Sequence, residues 1–255
     1  MLLEKKTAIV YGGGGHIGAA VARAFAREGA HVHLAGRTEA TLRAVADDIN
    51  ATGGPGRASA AVVDALDAGA VDRHTDEVAA AAGGLDISVN VISDADIQGT
   101  PLVEMDIEDY LRPVTVALRS KFLTSRAAAR HMTGRRSGVI LFVGGTFDRS
   151  VAGDVYVGGL QPALDAVESL RRQLAAEIGR YGVRVLTLRT SGFPESIPES
   201  YDEGRAIRSF LDGRTLTGRA ATLAEAGEIA AFVASDRART LSGTAVNMTV
   251  GASLD

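Results

Sequence analysis

The segment YGGGGHIG, Tyr11–Gly18, ends a short apolar run and opens a pattern with helical spacing. Glycines between a strand and a helix let the backbone approach a phosphate closely. The helix N-terminus behind them supplies unpaired N–H groups and a positive dipole end. Gly13, Gly15 and Gly18 satisfy the spacing G-x-G-x-x-G. Gly12, Gly14, Gly15, Ile17 and Gly18 are therefore the candidate contacts of a dinucleotide pyrophosphate. At the end of the next strand-like run stand Gly36 and Arg37. A carboxylate at that place would bond a ribose 2′-hydroxyl and repel a 2′-phosphate, whereas a guanidinium clamps one. Arg37 thus points to NADP(H) over NAD(H), the alternative being an arginine that tops a strand in solvent.

Composition bounds the other chemistry. The chain of 255 residues has no cysteine, which rules out thiolate metal sites and disulfides. The five histidines, His16, His31, His33, His74 and His131, have no metal-ligand spacing, so no metal is expected. A net charge of −4 gives no electrostatic ground for nucleic-acid binding. No run approaches the roughly 20 apolar residues of a membrane span, and the opening MLLEKKTAIVYGGGG leaves no room for a signal peptide. A cytoplasmic protein is the expectation. There are only three lysines, Lys5, Lys6 and Lys121, which restricts where lysine-dependent chemistry can sit.

The elements that must carry these residues alternate. Apolar runs at Thr7–Gly12, Ala30–Gly36, Ser59–Asp64, Leu85–Ser93, Gly138–Gly145 and Val183–Arg189, and a last one in TAVNMTV, read as strands. Helical patterns separate them: the segment after the glycines, one opened by Thr38, one over AGAVDRHTDEVAAAAGG, and a long one from about Met105 to Met132. A further helix runs on from Leu160, a short one lies around Glu203–Leu211, and a last one is LAEAGEIAAFVAS. Such alternation predicts an α/β fold: a single-domain Rossmann-type, doubly wound, mostly parallel seven-stranded sheet with helices on both faces. Residues 192–219 read as a lid-like segment.

The chain resembles the single-domain short-chain dehydrogenase/reductases over nearly its whole length. VYGGGGHIG stands where that family has T-G-x-x-x-G-I-G, and LDISVNVIS resembles its L-D-x-L-V-N-N-A-G. VESLRRQLAAEIGRYGVRV closely resembles V-x-x-L-x-x-x-L-A-x-E-L-x-x-x-G-I-R-V, and GRAATLAEAGEIA its C-terminal G-R-x-x-x-P-E-E-I-A. The resemblance adds Asp64 and Ala65, at the adenine-contacting strand end, and Asn90 to the cofactor residues. It also implies pairing through the two long helices into a homodimer or homotetramer, with Arg126, Arg130, Arg171 and Arg172 either at that interface or solvated.

The resemblance also brings an Asn-Ser-Tyr-Lys catalytic group, and here the chain departs from it. Its four positions fall on Ala117, Gly145, Leu160 and Leu164. Tyr11 replaces the motif Thr, His16 replaces a motif glycine, and Val91, Ile92 and Ser93 replace N-A-G. Leucine neither titrates nor donates, and loss of a general acid alone costs about 10²–10⁴-fold. Leu160, Leu164, Val167, Leu170, Leu174 and Ile178 instead continue one apolar stripe. Tyr156, beside the pliable pair Gly158-Gly159, is either a substitute proton donor or a loop tyrosine. Lys121, four residues after Ala117, either turns toward the same cavity or is a solvated or interface lysine, the latter being the expectation. Ser93, Asp94 and Asp96 are either ligand contacts or loop caps, and His16 either donates to a phosphate or fills the turn. Three functions remain open: an NADP(H)-binding protein without the family's standard hydride-transfer chemistry, an atypical NADP-dependent oxidoreductase of an unknown small molecule, and a structural or ligand-binding module without cofactor.

Overall fold

The computed structural model describes residues 1–145, 155–197 and 204–254. Seven strands form one sheet: β1 (Thr7–Tyr11), β2 (His31–Gly36), β3 (Arg57–Val62), β4 (Ile87–Asn90), β5 (Gly138–Gly145), β6 (Val183–Thr190) and β7 (Ala245–Asn247). Their order is β3-β2-β1-β4-β5-β6-β7, and every neighbouring pair is parallel. The helices are α1 (His16–Arg27), α2 (Glu39–Ala51), α3 (Ala68–Ala82), α4 (Ile107–Arg135), α5 (Leu160–Ile178), α6 (Gly204–Gly213) and α7 (Leu223–Ala234).

Parallel strands need crossovers, and right-handed crossovers on either side of β1 put helices on both faces. The interior is accordingly split in two. One layer joins α1, α2 and α7 to the sheet through Val21, Phe25, Leu42, Ile49, Ala230 and Val233. The other joins α3, α4 and α5 through Val71, Val78, Leu123, Met132, Ala163 and Val167. Central strands are buried along their length, as a sheet covered on both faces requires. β3 is an edge strand with an exposed face.

Several expected boundaries move. β4 stops at Asn90, not Ser93, because the chain leaves the sheet there to line a cavity. The last strand keeps only Ala245–Asn247, after which Val250 and Gly251 take positive φ and turn the chain. The long helix starts at Ile107, where the Asp106 carboxylate accepts from the Glu108 N–H at 2.8 Å, and runs on to Arg135. α5 begins at Leu160, so Pro162 lies in the first turn, where its missing N–H costs nothing. The Gly158-Gly159 pair is packed rather than pliable. A Cβ on Gly159 would come within 1.8 Å of the Tyr110 carbonyl oxygen, and Gly158, at φ +54°, abuts Met105 and the Ile97 carbonyl. Glu203, the expected start of the short helix, and residues 198–203 of the lid-like segment lie outside the described residues.

Candidate functional site

The sheet's strand order reverses between β1 and β4, and the C-terminal edge at that switch point opens into two adjoining cavities. The first, of about 440 Å³, runs along the glycine turn and the ends of β2 and β3. The second, of about 730 Å³, runs from the glycine turn past the ends of β4, β5 and β6 to α6. Gly12 and Gly15 line both.

The turn is built by close approaches. A Cβ on Gly18 would lie 2.2 Å from the Gly12 carbonyl oxygen, and one on Gly14 would lie 2.4 Å from Thr41 Oγ1. Gly12, at φ +87°, also abuts the Val91 backbone. Gly15, by contrast, is the exposed N-cap of α1, with no side-chain cap and no acidic residue in the first turn. The first N–H groups of α1 therefore face the cavities without an internal anion. Arg37, Asp64 and Ala65 line the smaller cavity, and Ile17 and Gly18 the larger. Arg37 is exposed and has no ion-pair partner among the described residues. Asp64 spends one oxygen on the Leu66 N–H at 2.9 Å. Asn90 stands behind the wall: it is 1% exposed, its amide donates to Thr124 Oγ1 at 3.0 Å, and its Oδ1 accepts from the Ile92 N–H at 3.1 Å. It fixes the chain that forms the wall. His16, the exposed first residue of α1, borders the larger cavity.

Beneath the turn, Tyr11 occupies the end of β1. Its hydroxyl pairs with Thr75 Oγ1 at 2.8 Å, and burial pushes its pKa up to about 12. His74 packs edge-on to that ring, 6.2 Å between centroids, and burial pulls its pKa down to about 4. Both are neutral at pH 7 and belong to the core.

In the far part of the larger cavity, apolar side chains stand at Leu160 and Leu164, where the family resemblance places polar ones. Leu160 and Leu164 form a small cluster with Val155 and Val157. Leu164 lies against Gly145, so that a Cβ there would sit 3.4 Å from its Cδ1. Ala117 is fully buried in the layer below the sheet. Tyr156 is 47% exposed and is not among the residues lining the cavity; its carbonyl accepts from the Gly99 N–H at 2.8 Å. Ile207, Phe210, Leu211 and Arg214, from α6 and just beyond it, close the outer side.

Lys121 corrects the sequence reading. The expectation was a solvated or interface lysine, yet its side chain is 0% exposed and its Nζ donates to Asp94 Oδ1 at 2.8 Å. Four residues beyond Ala117 it lies on the same helical face, and that face points inward at the cavity wall. Asp94, 12% exposed, is itself part of that wall. Sequence alone left this pair unjoined; the one signal was a lone lysine among apolar neighbours in a lysine-poor chain. Arg171 is likewise neither solvated nor left over for an interface: its side chain is 4% exposed and pairs with Glu168 at 2.8 Å. Arg126 and Arg130 both reach Asp72 on α3. Among the described residues no group of histidines and carboxylates could hold a metal, and no helix is long and apolar enough to cross a membrane.

Comparison with known proteins agrees with this architecture. Residues 14–253 match the family model described as enoyl-(acyl carrier protein) reductase. The tropinone reductase-like 2 protein of Erythroxylum coca is 31% identical over 257 residues, 97% of this chain and 90% of that protein. The meso-2,3-butanediol dehydrogenase of Serratia marcescens is 30% identical over 260 residues, 99% of this chain and 96% of that protein. The crystal structure of a dehydrogenase/reductase from Sinorhizobium meliloti 1021 superposes with a TM-score of 0.82 at 29% identity, covering 99% of this chain and 96% of that one. With the glycine turn, the all-parallel seven-stranded sheet and these relatives together, the chain belongs to the short-chain dehydrogenase/reductase family.

Proposed function

We propose that the protein binds NADP(H) through the glycine turn and Arg37, and lacks the family's standard proton-transfer group. The observation that carries the reading is a contrast within one connected cleft. The cofactor end has open N–H groups, an unpaired guanidinium at the end of β2 and Asp64 beside it. The residues fit a 2′-phosphate: Gly36 brings no carboxylate, and Arg37 has no competing partner among the described residues. The other end has Leu160 and Leu164 in one apolar cluster, with Gly145 beside Leu164. When bound, the nicotinamide would supply hydride chemistry. The chain's own residues at the family's catalytic positions exclude water and fill space, and neither give nor take a proton.

A second reading, an oxidoreductase that uses other groups, is favoured by one observation: the cavity of about 730 Å³ persists beside the plugged positions, closed by Phe210, Leu211 and Arg214. A small-molecule ligand fits it on either reading. A homo-oligomer through α4 and α5 is supported by their shared outer face, where Phe122 is 49% exposed and Leu170 and Leu174 are partly buried. The deciding experiment is a titration of NADPH and of NADH followed by nicotinamide fluorescence. Saturable NADPH binding with much weaker NADH binding is expected. Failure of both to bind would overturn the cofactor reading and leave a ligand-binding module.

A further inference from the structure

The pair Lys121–Asp94 is the costliest polar arrangement in the cavity wall. Burying an ammonium is unfavourable by several kcal/mol unless it is paired, and Lys121 is completely buried. Its partner sits on the segment that leaves β4, immediately before Ala95, which holds φ +56° in the left-handed region that favours glycine. Two local costs thus meet at the residue that turns a carboxylate to the cavity. The pairing consumes Oδ1; Asp94 Oδ2 has no partner among the described residues. The cavity it lines carries apolar side chains, among them Ile92, Leu160, Ile207 and Leu211, beside the polar Ser93, Gln98 and Thr190. The other charged side chains lining the cavity are Asp96, which accepts from Gln98 at 2.6 Å, and Arg214.

We propose that Asp94, held by Lys121, receives the hydroxyl of a bound ligand, so that the cavity takes neutral, largely apolar alcohols in preference to the matching ketones. A paired carboxylate is an acceptor only; it rewards an O–H and repels a carbonyl lone pair. The ligand is neutral because Lys121 already balances Asp94, and the other two charged side chains in the lining, Asp96 and Arg214, are of opposite sign. The pair takes over the polar role that Leu160, Leu164 and Gly145 cannot perform. Lys121, with no exposed surface, acts through Asp94 and is a positioning residue. The inference rests on reading this cavity as the ligand chamber beside the cofactor.

The test is calorimetric titration of the purified protein with 2-tetralol, 2-tetralone and 2-aminotetralin, beside a separate NADPH titration. The wild type is expected to bind 2-tetralol roughly tenfold more tightly than 2-tetralone, the scale of one hydrogen bond to a charged group. In Asp94→Asn the carbonyl oxygen keeps Lys121 and the amide N–H₂ turns to the cavity. The preference should then invert toward 2-tetralone, while NADPH binding stays unchanged. A purely structural Asp94 would not invert it. The double variant Asp94→Leu/Lys121→Met removes both charges together, which avoids an orphaned ammonium, and should leave no preference. Four results overturn the proposal: tighter binding of 2-tetralone or of the ammonium probe by the wild type, a preference unchanged in Asp94→Asn, a preference that survives in the double variant, or no binding of any probe by protein that binds NADPH. Loss of NADPH binding with the alcohol preference intact would instead remove the cofactor reading and leave this one standing.

Discussion

The two ends of the cleft are built from the same kind of backbone and differ in what they ask of it. At the glycine turn, small residues are needed because other atoms occupy the space a Cβ would take: the Gly12 backbone at Gly18, the Thr41 side chain at Gly14. The residues that face outward there stay open and polar. At the ends of β5 and α5, Gly145 and Leu164 are neighbours, and the cavity wall they share with Leu160 is apolar. A leucine of this burial contributes about 2 kcal/mol by leaving water, whereas an unpaired lysine at Leu164 would cost several. In this chain the glycine turn and the side chains at the family's catalytic positions are separable features: one is a backbone property, the other a handful of side chains.

The contrast is broken most severely by Gly18→Val. Its side chain has no space against the Gly12 carbonyl, so about 3 kcal/mol of stability is expected to be lost, together with measurable NADPH binding, as read by urea unfolding and by titration. The far end should tolerate Leu164→Met with a loss of at most about 1.5 kcal/mol.

The layer beneath the turn has its own pH dependence. His74 is held neutral by burial, with its pKa pulled down to about 4 from 6.5. The unfolded chain therefore takes up a proton before the folded one does. Stability is fully present above pH 6.5 and falls as the pH drops toward 4, by on the order of 3 kcal/mol. Urea midpoints at pH 7 and pH 4.5 should show this slope, and His74→Gln should flatten it.

Arg37→Asp sharpens the comparison. It should weaken NADPH by roughly 100-fold, the scale of losing a charged clamp and adding repulsion, and leave NADH within a few-fold; equal loss of both would contradict a phosphate role. The smallest effect belongs to Tyr156→Phe. Its ring is half exposed and outside the cavity lining, so NADPH binding and any turnover against a carbonyl panel should stay within about twofold. A loss of turnover beyond tenfold would restore Tyr156 as a proton donor.

Much of this was legible before the tertiary structure. Alternation of strand and helix gave all seven strands, and the glycines with Arg37 and Asp64 came together in one cleft because local order along a parallel sheet places every strand's C-terminal end on the same edge. The apolar stripe of α5 was visible from spacing alone, and Leu160, Leu164 and Val167 are buried along it. What escaped was set by contacts distant in sequence. Asn90, a cofactor candidate by resemblance, places its amide on Thr124, 34 residues away, which its sequence neighbours do not announce. Arg171 was open to an interface or to solvent, and its pairing with Glu168 and the packing of α5 bury it instead.

By itself, then, the sequence determined the fold, the turn that suits a dinucleotide, and the absence of tyrosine and lysine from α5 at the positions where the family places them. These follow from periodicity and residue type, which are local. The tertiary structure alone decided that Leu164 packs with Leu160 and Val157 beside Gly145, that Gly158 and Gly159 serve close packing, and that Lys121 is buried against Asp94. The charge of a buried side chain is tolerable only beside its partner, and that partner lies 27 residues away in the chain, on the far side of a strand-to-helix connection.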